Sequence, residues 1–263
     1  MILVQMSFSL LVSTIRKMNI NFHVQNAEIY HSKVDDRIDQ VPSNATDVKV
    51  IFSDNDLIVV DKPYNLLSAP GPNGSYNLAT YLSKLYYIDN VDHMIAHRLD
   101  YATSGVIIYC RNEFVLKQLH KQFRERKIYK QYTALIHGIP QFSLEGEIDL
   151  PLGRHPILGP PYWSIDAIDG KPSITEWFVE RASTVKNMTY IRLRPLTGRT
   201  HQLRVHLASI GHPIIGDFLY APKEVFNMGH RLMLHAESIH FYHPTTKQHI
   251  GFRAQCPLYP LIH

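Results

Sequence analysis

The stretch HRLDYATSG, residues 97–105, is followed directly by the apolar run VIIY, residues 106–109. The run has the composition of a buried strand, and the Thr-Ser-Gly sequence before it is typical of a tight turn. This pattern predicts that Asp100 lies at the edge of a buried strand. A short acidic side chain at such a place needs a cationic partner or a chemical role.

A second stretch, LTGRTHQLRVH at residues 196–206, can supply that partner. It contains two arginines and two histidines and no acidic residue. Side chains of this kind can bind a carboxylate and also the phosphates of a polyanion such as RNA. The two stretches together therefore predict a carboxylate and a basic surface in one place.

The composition is that of a globular protein with a mildly basic balance. The 263 residues are enough for one large domain or two small ones, and 45% of them are apolar. The net charge of +4 and the pI of about 8.9 are compatible with an RNA partner without requiring one. Cys110 and Cys256 are too far apart in sequence to suggest a disulfide framework, which favours a reducing cytoplasm. Cys110 ends the apolar run and is predicted to be buried.

Residues 1–47 lack periodicity and are predicted to be an N-terminal extension, too short and irregular for a separate RNA-binding module. Residues 1–12 are apolar, but Arg16 and Lys17 follow them, whereas a secretory signal carries its positive charge first. We expect a non-native start, an extra strand or a frayed segment there. No other run approaches the roughly 20 apolar residues that span a bilayer.

The rest of the chain alternates between hairpin-like and helical patterns, which predicts an α+β fold with a largely antiparallel sheet. Residues 140–172, rich in proline and glycine, are expected to form a long excursion. The predicted strands are residues 48–52, 57–60, 128–136, 174–179, 188–193, 232–241 and 248–254. The predicted helices are 113–126, capped by Asn112, and 201–210, with Leu203, Leu207 and Ile210 inward and Gly211 at its end.

Three ordered motifs resemble those of the RluA family of RNA pseudouridine synthases. The family pattern HRLDxxTSG matches residues 97–105, K-x-Y matches residues 130–132, and TGRxHQ(L/I)RxH matches residues 197–206. The resemblance continues at residues 61–63, 211–217 and 234–236 and covers the chain from about residue 50 onward. Ordered motifs of this length are far more specific than a single short pattern.

The resemblance implies a pseudouridine synthase catalytic domain over residues 48–263, with helices and loops flanking a mixed sheet around a central cleft. It implies an isomerase (an intramolecular transferase) that breaks the bond from ribose C1′ to uracil N1 and rejoins C1′ to C5. No oxidation occurs and no group donor is needed, so no cofactor is expected. The resemblance gives Asp100 the role of nucleophile or charge-stabilising carboxylate, pairs it with Arg204, and makes Tyr132 the active-site tyrosine.

A uridine inside structured RNA must be extruded before it can react. Residues 113–132 contain six basic and two acidic residues, and residues 192–206 add four arginines with no acid. Two basic segments beside the catalytic motifs predict a phosphate-binding rim. The predicted RNA-binding residues are Arg98, Arg124, Lys127, Lys130, Arg199 and His201.

Plainer interpretations of the same residues remain open. The basic helix could be a solvated face, Tyr132 a core tyrosine, and Arg98 a structural ion-pair partner. A hydrolase triad of His97, Asp100 and Ser104 is disfavoured because the three are crowded and no G-x-S-x-G elbow is present. We expect no metal site, since His201 and His206 are badly spaced for one and no metal-binding motif occurs.

Two other functions compete with the isomerase: a non-catalytic RNA-binding protein on the same fold, and a hydrolase of glycosidic bonds. The compact motifs look most like the RluA branch, which modifies a hairpin of large-subunit ribosomal RNA and the anticodon stem-loop of some tRNAs. The resemblance thus implies structured RNA, rRNA or tRNA or both, as the substrate of a cytoplasmic enzyme. We expect a monomer and no membrane association.

Overall fold

The computed structural model describes residues 48–71, 76–141 and 143–259. The extension predicted for residues 1–47 lies outside the described residues. The strands are β1 (Lys49–Ser53), β2 (Leu57–Lys62), β3 (Ser104–Cys110), β4 (Tyr129–His137), β5 (Glu145–Asp149), β6 (Leu152–Arg154), β7 (Trp163–Ile165), β8 (Ile174–Ser183), β9 (Met188–Pro195), β10 (Leu234–Tyr242) and β11 (His249–Arg253). The helices are α1 (Leu78–Leu85), α2 (Glu113–Arg124), α3 (Gln202–Ser209) and α4 (Lys223–Asn227), with a 3-10 turn at Val91–Met94.

Nine strands form one sheet in the order β1-β2-β3-β10-β4-β9-β8-β5, with β11 also paired to β10. The remaining two strands, β6 and β7, form a separate hairpin. Among the described strands of the large sheet, only β3 and β10 pair in parallel. The predicted α+β fold with a largely antiparallel sheet is therefore confirmed, and the antiparallel β1–β2 and β8–β9 pairs are part of that sheet.

The parallel pair depends on the glycine that ends the first motif. Gly105 has φ +115 and lies opposite Ala236 in the register of β3 and β10. A Cβ atom at Gly105 would lie 2.1 Å from the Ala236 carbonyl oxygen. Only glycine fits this conformation and this approach. The motif therefore enters the centre of the sheet directly after the Asp100 turn.

The predicted helices form, with boundaries set by their caps. Asn112 accepts a hydrogen bond from the Val115 N–H at 3.0 Å, which starts α2 as predicted. The helix ends at Arg124, two residues before the predicted end, because Arg126 turns to φ +55. In α3 the inward positions Leu203 and Leu207 are buried as predicted, with 7% and 0% exposed.

The prediction for Ile210 was wrong, since this residue is 38% exposed. Helix α3 ends at Ser209, and Ile210 has φ −95 and ψ 10. The chain therefore leaves the helical path before Ile210 can join the apolar stripe. Gly211 follows at φ +84, in the left-handed conformation predicted for it.

Two hydrophobic clusters cover different parts of the same sheet and meet at Tyr132. One is built around β2, β3 and the helices α1 and α2, and the other around β4, β9 and α3. Tyr132 packs against both clusters. Cys110 is completely buried in the first cluster, as predicted. The tyrosine is thereby fixed at the centre of the sheet.

The excursion predicted for residues 140–172 contains β5, β6 and β7. The β6–β7 hairpin packs on α3 through a small apolar cluster that includes Leu152, Val205 and Tyr220. This cluster ties the hairpin to the helix that carries the second motif. No helix within the described ranges is long and apolar enough to cross a membrane.

Candidate active site

The Asp100 turn is clamped by backbone hydrogen bonds and by a buried lysine. The Thr103 N–H donates to the Asp100 carbonyl at 3.1 Å, which closes the turn before β3. Lys62, completely buried, donates from Nζ to the carbonyls of Pro63, Leu66 and Tyr101 at 2.9, 2.8 and 3.3 Å. One side chain thus joins the end of β2 to the residue after Asp100, which holds the turn in place.

Arg204 projects from α3 towards this turn. Its Nη1 lies 3.4 Å from Oδ2 of Asp100, so the two residues that were expected to pair are in contact. The shorter hydrogen bonds of Arg204 go to Asp217, from Nε to Oδ2 at 2.8 Å and from Nη2 to Oδ1 at 2.7 Å. This bidentate bond leaves one nitrogen of the guanidinium for Asp100.

Asp217 is the fixed point of this arrangement. Its side chain is 0% exposed, and its Oδ1 also accepts hydrogen bonds from the Leu219 and Tyr220 backbone N–H groups at 2.9 and 3.2 Å. The Arg204 side chain is 2% exposed, whereas that of Asp100 is 24% exposed. The buried pair therefore orients a cation towards a carboxylate that is still accessible.

The surroundings keep Asp100 ionised. Burial would raise the pKa of Asp100, but His201, Arg204 and Lys62 together lower it below its usual value. Burial also lowers the pKa of His201 to about 4, so this imidazole is uncharged at neutral pH. The positive charge that holds Asp100 ionised at neutral pH therefore comes first from Arg204.

A cavity of about 750 Å³ opens at Asp100. Eight of the nine residues predicted to act in catalysis or RNA binding line it: Arg98, Asp100, Arg124, Lys130, Tyr132, Arg199, His201 and Arg204. Lys127 is not among the residues that line the cavity, and its Nζ is 2.8 Å from Oε2 of Glu125 on the exposed surface. The fold thus brings together residues that are more than 100 positions apart in sequence.

Tyr132 forms part of the cavity wall from β4. Its backbone lies opposite Ala236 of β10 and Leu193 of β9. Burial and the nearby negative charge of Asp100 raise the pKa of Tyr132 above its ordinary value. The phenol is therefore protonated at neutral pH and can donate a hydrogen bond.

The basic residues of the cavity differ in their surroundings. Arg98, Arg124 and Arg199 are exposed at its edge. Lys130 donates from Nζ to the Thr197 carbonyl at 3.3 Å, and burial lowers its pKa to about 8. The three arginines can contact a polyanion, whereas Lys130 also links β4 to the second motif.

Gln202 organises the second motif, a role that the sequence analysis did not assign. Its Oε1 accepts from the Thr197 hydroxyl at 2.8 Å and from the Arg199 N–H at 3.0 Å. Its amide donates to the Ile174 carbonyl and the Thr175 hydroxyl, at 2.9 and 3.0 Å. Gln202 therefore fixes the turn that carries Arg199 and His201 into the cavity wall.

Hydrogen bonds to other groups engage His97, His206 and Ser104, the residues considered above for a triad or a metal site. His97 accepts from the Ile108 N–H at 3.0 Å, while the Ser104 hydroxyl is 2.8 Å from His235 Nδ1. His206 is bonded through both ring nitrogens, to the Thr175 hydroxyl at 3.0 Å and the Leu150 carbonyl at 2.9 Å. These histidines serve the packing of the sheet and of α3.

Comparison with known proteins identifies the family of this chain. The family model described as RNA pseudouridylate synthase matches residues 56–209. The "Dual-specificity RNA pseudouridine synthase RluA" of Escherichia coli K12 is 39% identical over 213 residues, which cover 78% of this chain and 91% of that protein. Its namesake in Vibrio cholerae is 37% identical over 218 residues, covering 81% and 84%.

A solved structure, that of human RNA pseudouridylate synthase domain containing 1, matches with a TM-score of 0.70 and 27% sequence identity. The match covers 85% of this chain and 89% of the human chain. The extent of these likenesses, and the residues that line the cavity, lead to one assignment. The chain belongs to the RluA family of RNA pseudouridine synthases.

Proposed function

We propose that this pseudouridine synthase uses Asp100, Arg204 and Tyr132 to isomerise specific uridines in structured RNA. We propose as substrates a hairpin of large-subunit ribosomal RNA and the anticodon stem-loop of tRNA. The observation that carries the proposal is the accessible Asp100 carboxylate, held 3.4 Å from the Arg204 guanidinium inside a cavity with basic walls. The dual-specificity names of the relatives support the two classes of RNA.

The chemistry follows from the charges in the cavity. The bond between C1′ and N1 breaks, which leaves C1′ poor in electrons, and Asp100 supplies negative charge at that point. The detached uracil turns so that C5 bonds to C1′. The hydrogen on C5 is then lost as a proton and N1 gains one, so the isomerisation needs no external reagent.

Tyr132 and the basic edge serve the nucleotide before and during this step. Stacking of an aromatic ring on an extruded base contributes about 1–3 kcal/mol. The protonated hydroxyl of Tyr132 can donate to the uracil while the base is detached. Arg98, Arg124 and Arg199 lie where phosphates flanking the extruded nucleotide would pass.

We propose that residues 48–263 form the catalytic domain and that the protein acts as a cytoplasmic monomer. The family match lies inside these residues. Ribosomal RNA and tRNA function in the cytoplasm, and the three residues proposed for catalysis line one cavity of a single chain. Sedimentation of the full chain with and without RNA would test the monomer.

The activity is tested with RNA that carries tritium at C5 of its uridines. Because C5 loses its hydrogen, we expect release of tritium to water, no free uracil, and pseudouridine in the digested RNA. A purified anticodon stem-loop and a large-subunit rRNA hairpin should both react. Release of free uracil would show a hydrolase, and absence of tritium release from these RNAs and from total cellular RNA would contradict the activity.

The basic edge predicts a change in the salt dependence of RNA binding. We expect Arg124→Ala and Arg199→Ala each to reduce the slope of log binding constant against log salt by about 0.7 to 0.9, the value for one phosphate contact. Lys127→Ala is the matched control, because Lys127 pairs with Glu125 outside the cavity. A reduction for Lys127→Ala as large as that for Arg199→Ala would contradict the proposed path of the RNA.

A further inference from the structure

His201 lies in a conformation that the local sequence does not favour. It precedes α3 with φ 55 and ψ 15, in the left-handed region, and its side chain makes no capping hydrogen bond. Residues other than glycine adopt this conformation at a free-energy cost, and such residues are concentrated at functional sites. The His201 side chain is 12% exposed, so its ring points into the protein rather than towards solvent.

Both nitrogens of the His201 ring are directed at specific groups. Nδ1 is 2.7 Å from the Tyr220 hydroxyl, and that hydroxyl oxygen accepts from the Trp163 backbone N–H at 3.0 Å. Nε2 is 4.0 Å from Oδ2 of Asp100. A ring in these contacts is poorly placed to bind phosphate, the role predicted from sequence.

The contacts indicate where the proton of the neutral ring lies. The Tyr220 oxygen accepts from Trp163, and its O–H can still donate to Nδ1, which lies 2.7 Å away. When Tyr220 is the donor in this bond, the ring proton of His201 is on Nε2. This tautomer is also the one that the Asp100 carboxylate favours, since a lone pair on Nε2 would face a negatively charged oxygen.

Two nitrogens therefore face the same oxygen of Asp100, that of Arg204 within hydrogen-bond distance and that of His201 beyond it. The Nη1 of Arg204 is 3.4 Å and the Nε2 of His201 is 4.0 Å from Oδ2. Within the described part of the chain, Oδ1 accepts no hydrogen bond. We propose that His201 is a positioning residue that, with Arg204, holds Oδ2 of Asp100, so that Oδ1 is the atom that meets the target nucleotide. This inference rests on the proposed function of Asp100.

The β6–β7 hairpin contributes to the positioning of His201. Trp163 is the first residue of β7, and the hairpin packs against α3 together with Tyr220. Its backbone N–H fixes the Tyr220 hydroxyl, which in turn fixes the tautomer of His201. The hairpin thus acts on Asp100 through two intermediate side chains, although it contributes no residue to the cavity wall.

The test compares His201→Gln with His201→Asn. Both side chains end in an amide and asparagine tolerates the left-handed conformation. The glutamine amide reaches about as far as Nε2 and can donate to Asp100, whereas the asparagine amide reaches only to the position of Nδ1. We expect His201→Asn to lower the single-turnover rate on tritiated RNA by about 100-fold, with RNA affinity within about twofold. His201→Gln should recover at least about tenfold of that loss.

Tyr220→Phe tests the relay, and Tyr190→Phe is its control, because Tyr190 is also buried but its hydroxyl bonds Cys256 outside the cavity. We expect a loss of about tenfold in rate for Tyr220→Phe only. Equal rates for His201→Gln and His201→Asn, or loss of RNA affinity instead of rate, would overturn the proposal. Equal rates for the two tyrosine variants would overturn the part played by the hairpin. Failure of the unaltered protein to form pseudouridine would instead refute the proposed function.

Discussion

Asp100→Asn is expected to lower the rate of pseudouridine formation by about 10⁴-fold or more, while RNA affinity stays within about twofold. The amide has the size of the carboxylate but carries no negative charge, so it cannot stabilise or attack an electron-poor C1′. RNA contacts are retained because the basic edge is untouched. The rate is measured in single turnover with enzyme in excess, and the RNA affinity is measured by filter binding on the same RNA.

The fold should tolerate this substitution. The bidentate bond from Arg204 to Asp217, 2.8 and 2.7 Å in the unaltered protein, does not involve Asp100 and should persist when Asp100 loses its charge. The thermal midpoint of the variant is the control for folding. A variant that keeps more than about a tenth of the activity would refute the role proposed for Asp100.

The second large effect is expected at the buried pair of Arg204 and Asp217. Asp217→Leu leaves the guanidinium without its main partner in a site where Arg204 is 2% exposed. Removing one member of a buried pair destabilises a protein by about 3–5 kcal/mol, because the other charge stays buried. Arg204→Met should cost a similar amount by stranding Asp217. Urea denaturation of each variant measures the free energy of unfolding.

The double variant Arg204→Met with Asp217→Leu separates stability from activity. It removes both charges, so we expect it to recover most of the stability that either single variant loses. Its activity should remain as low as that of Arg204→Met, since Asp100 has lost its cation. If the losses in the free energy of unfolding of the two single variants simply add in the double variant, Arg204 and Asp217 do not stabilise the fold as one buried pair.

The part of the site that is local in sequence could be predicted. The turn before β3, the position of Asp100 at the edge of that strand and the Asn112 cap of α2 follow from residue types within a few positions of each other. Gly105 was part of the motif, but a tertiary contact is what requires glycine at this position. The close approach of Ala236 comes from a strand more than 100 residues later.

The main partner of Arg204, Asp217, could not be predicted in the same way. Asp217 is 13 residues further on and returns to α3 through a turn at Gly216, where φ is +76. A pattern of local periodicity gives no information on such a return. The available sign was a lone acid within the apolar segment IIGDFLY, residues 214–220, where a carboxylate must be paired if it is buried.

The β6–β7 hairpin escaped prediction because its strands are three residues each. Strands this short show no alternation, and residues 140–172 are dominated by turn-forming residues. The link from Trp163 through Tyr220 to His201 spans three elements that only the tertiary fold brings together. The sequence pattern could therefore assign His201 to the site without giving its partner.

The most direct test of the central claim is to map pseudouridines at single-nucleotide resolution in RNA from cells that lack the protein. We expect specific pseudouridines in rRNA or tRNA to be absent, to return when the unaltered protein is supplied, and to stay absent when Asp100→Asn is supplied. An unchanged map without the protein, or full restoration by Asp100→Asn, would contradict the claim that this carboxylate makes pseudouridine.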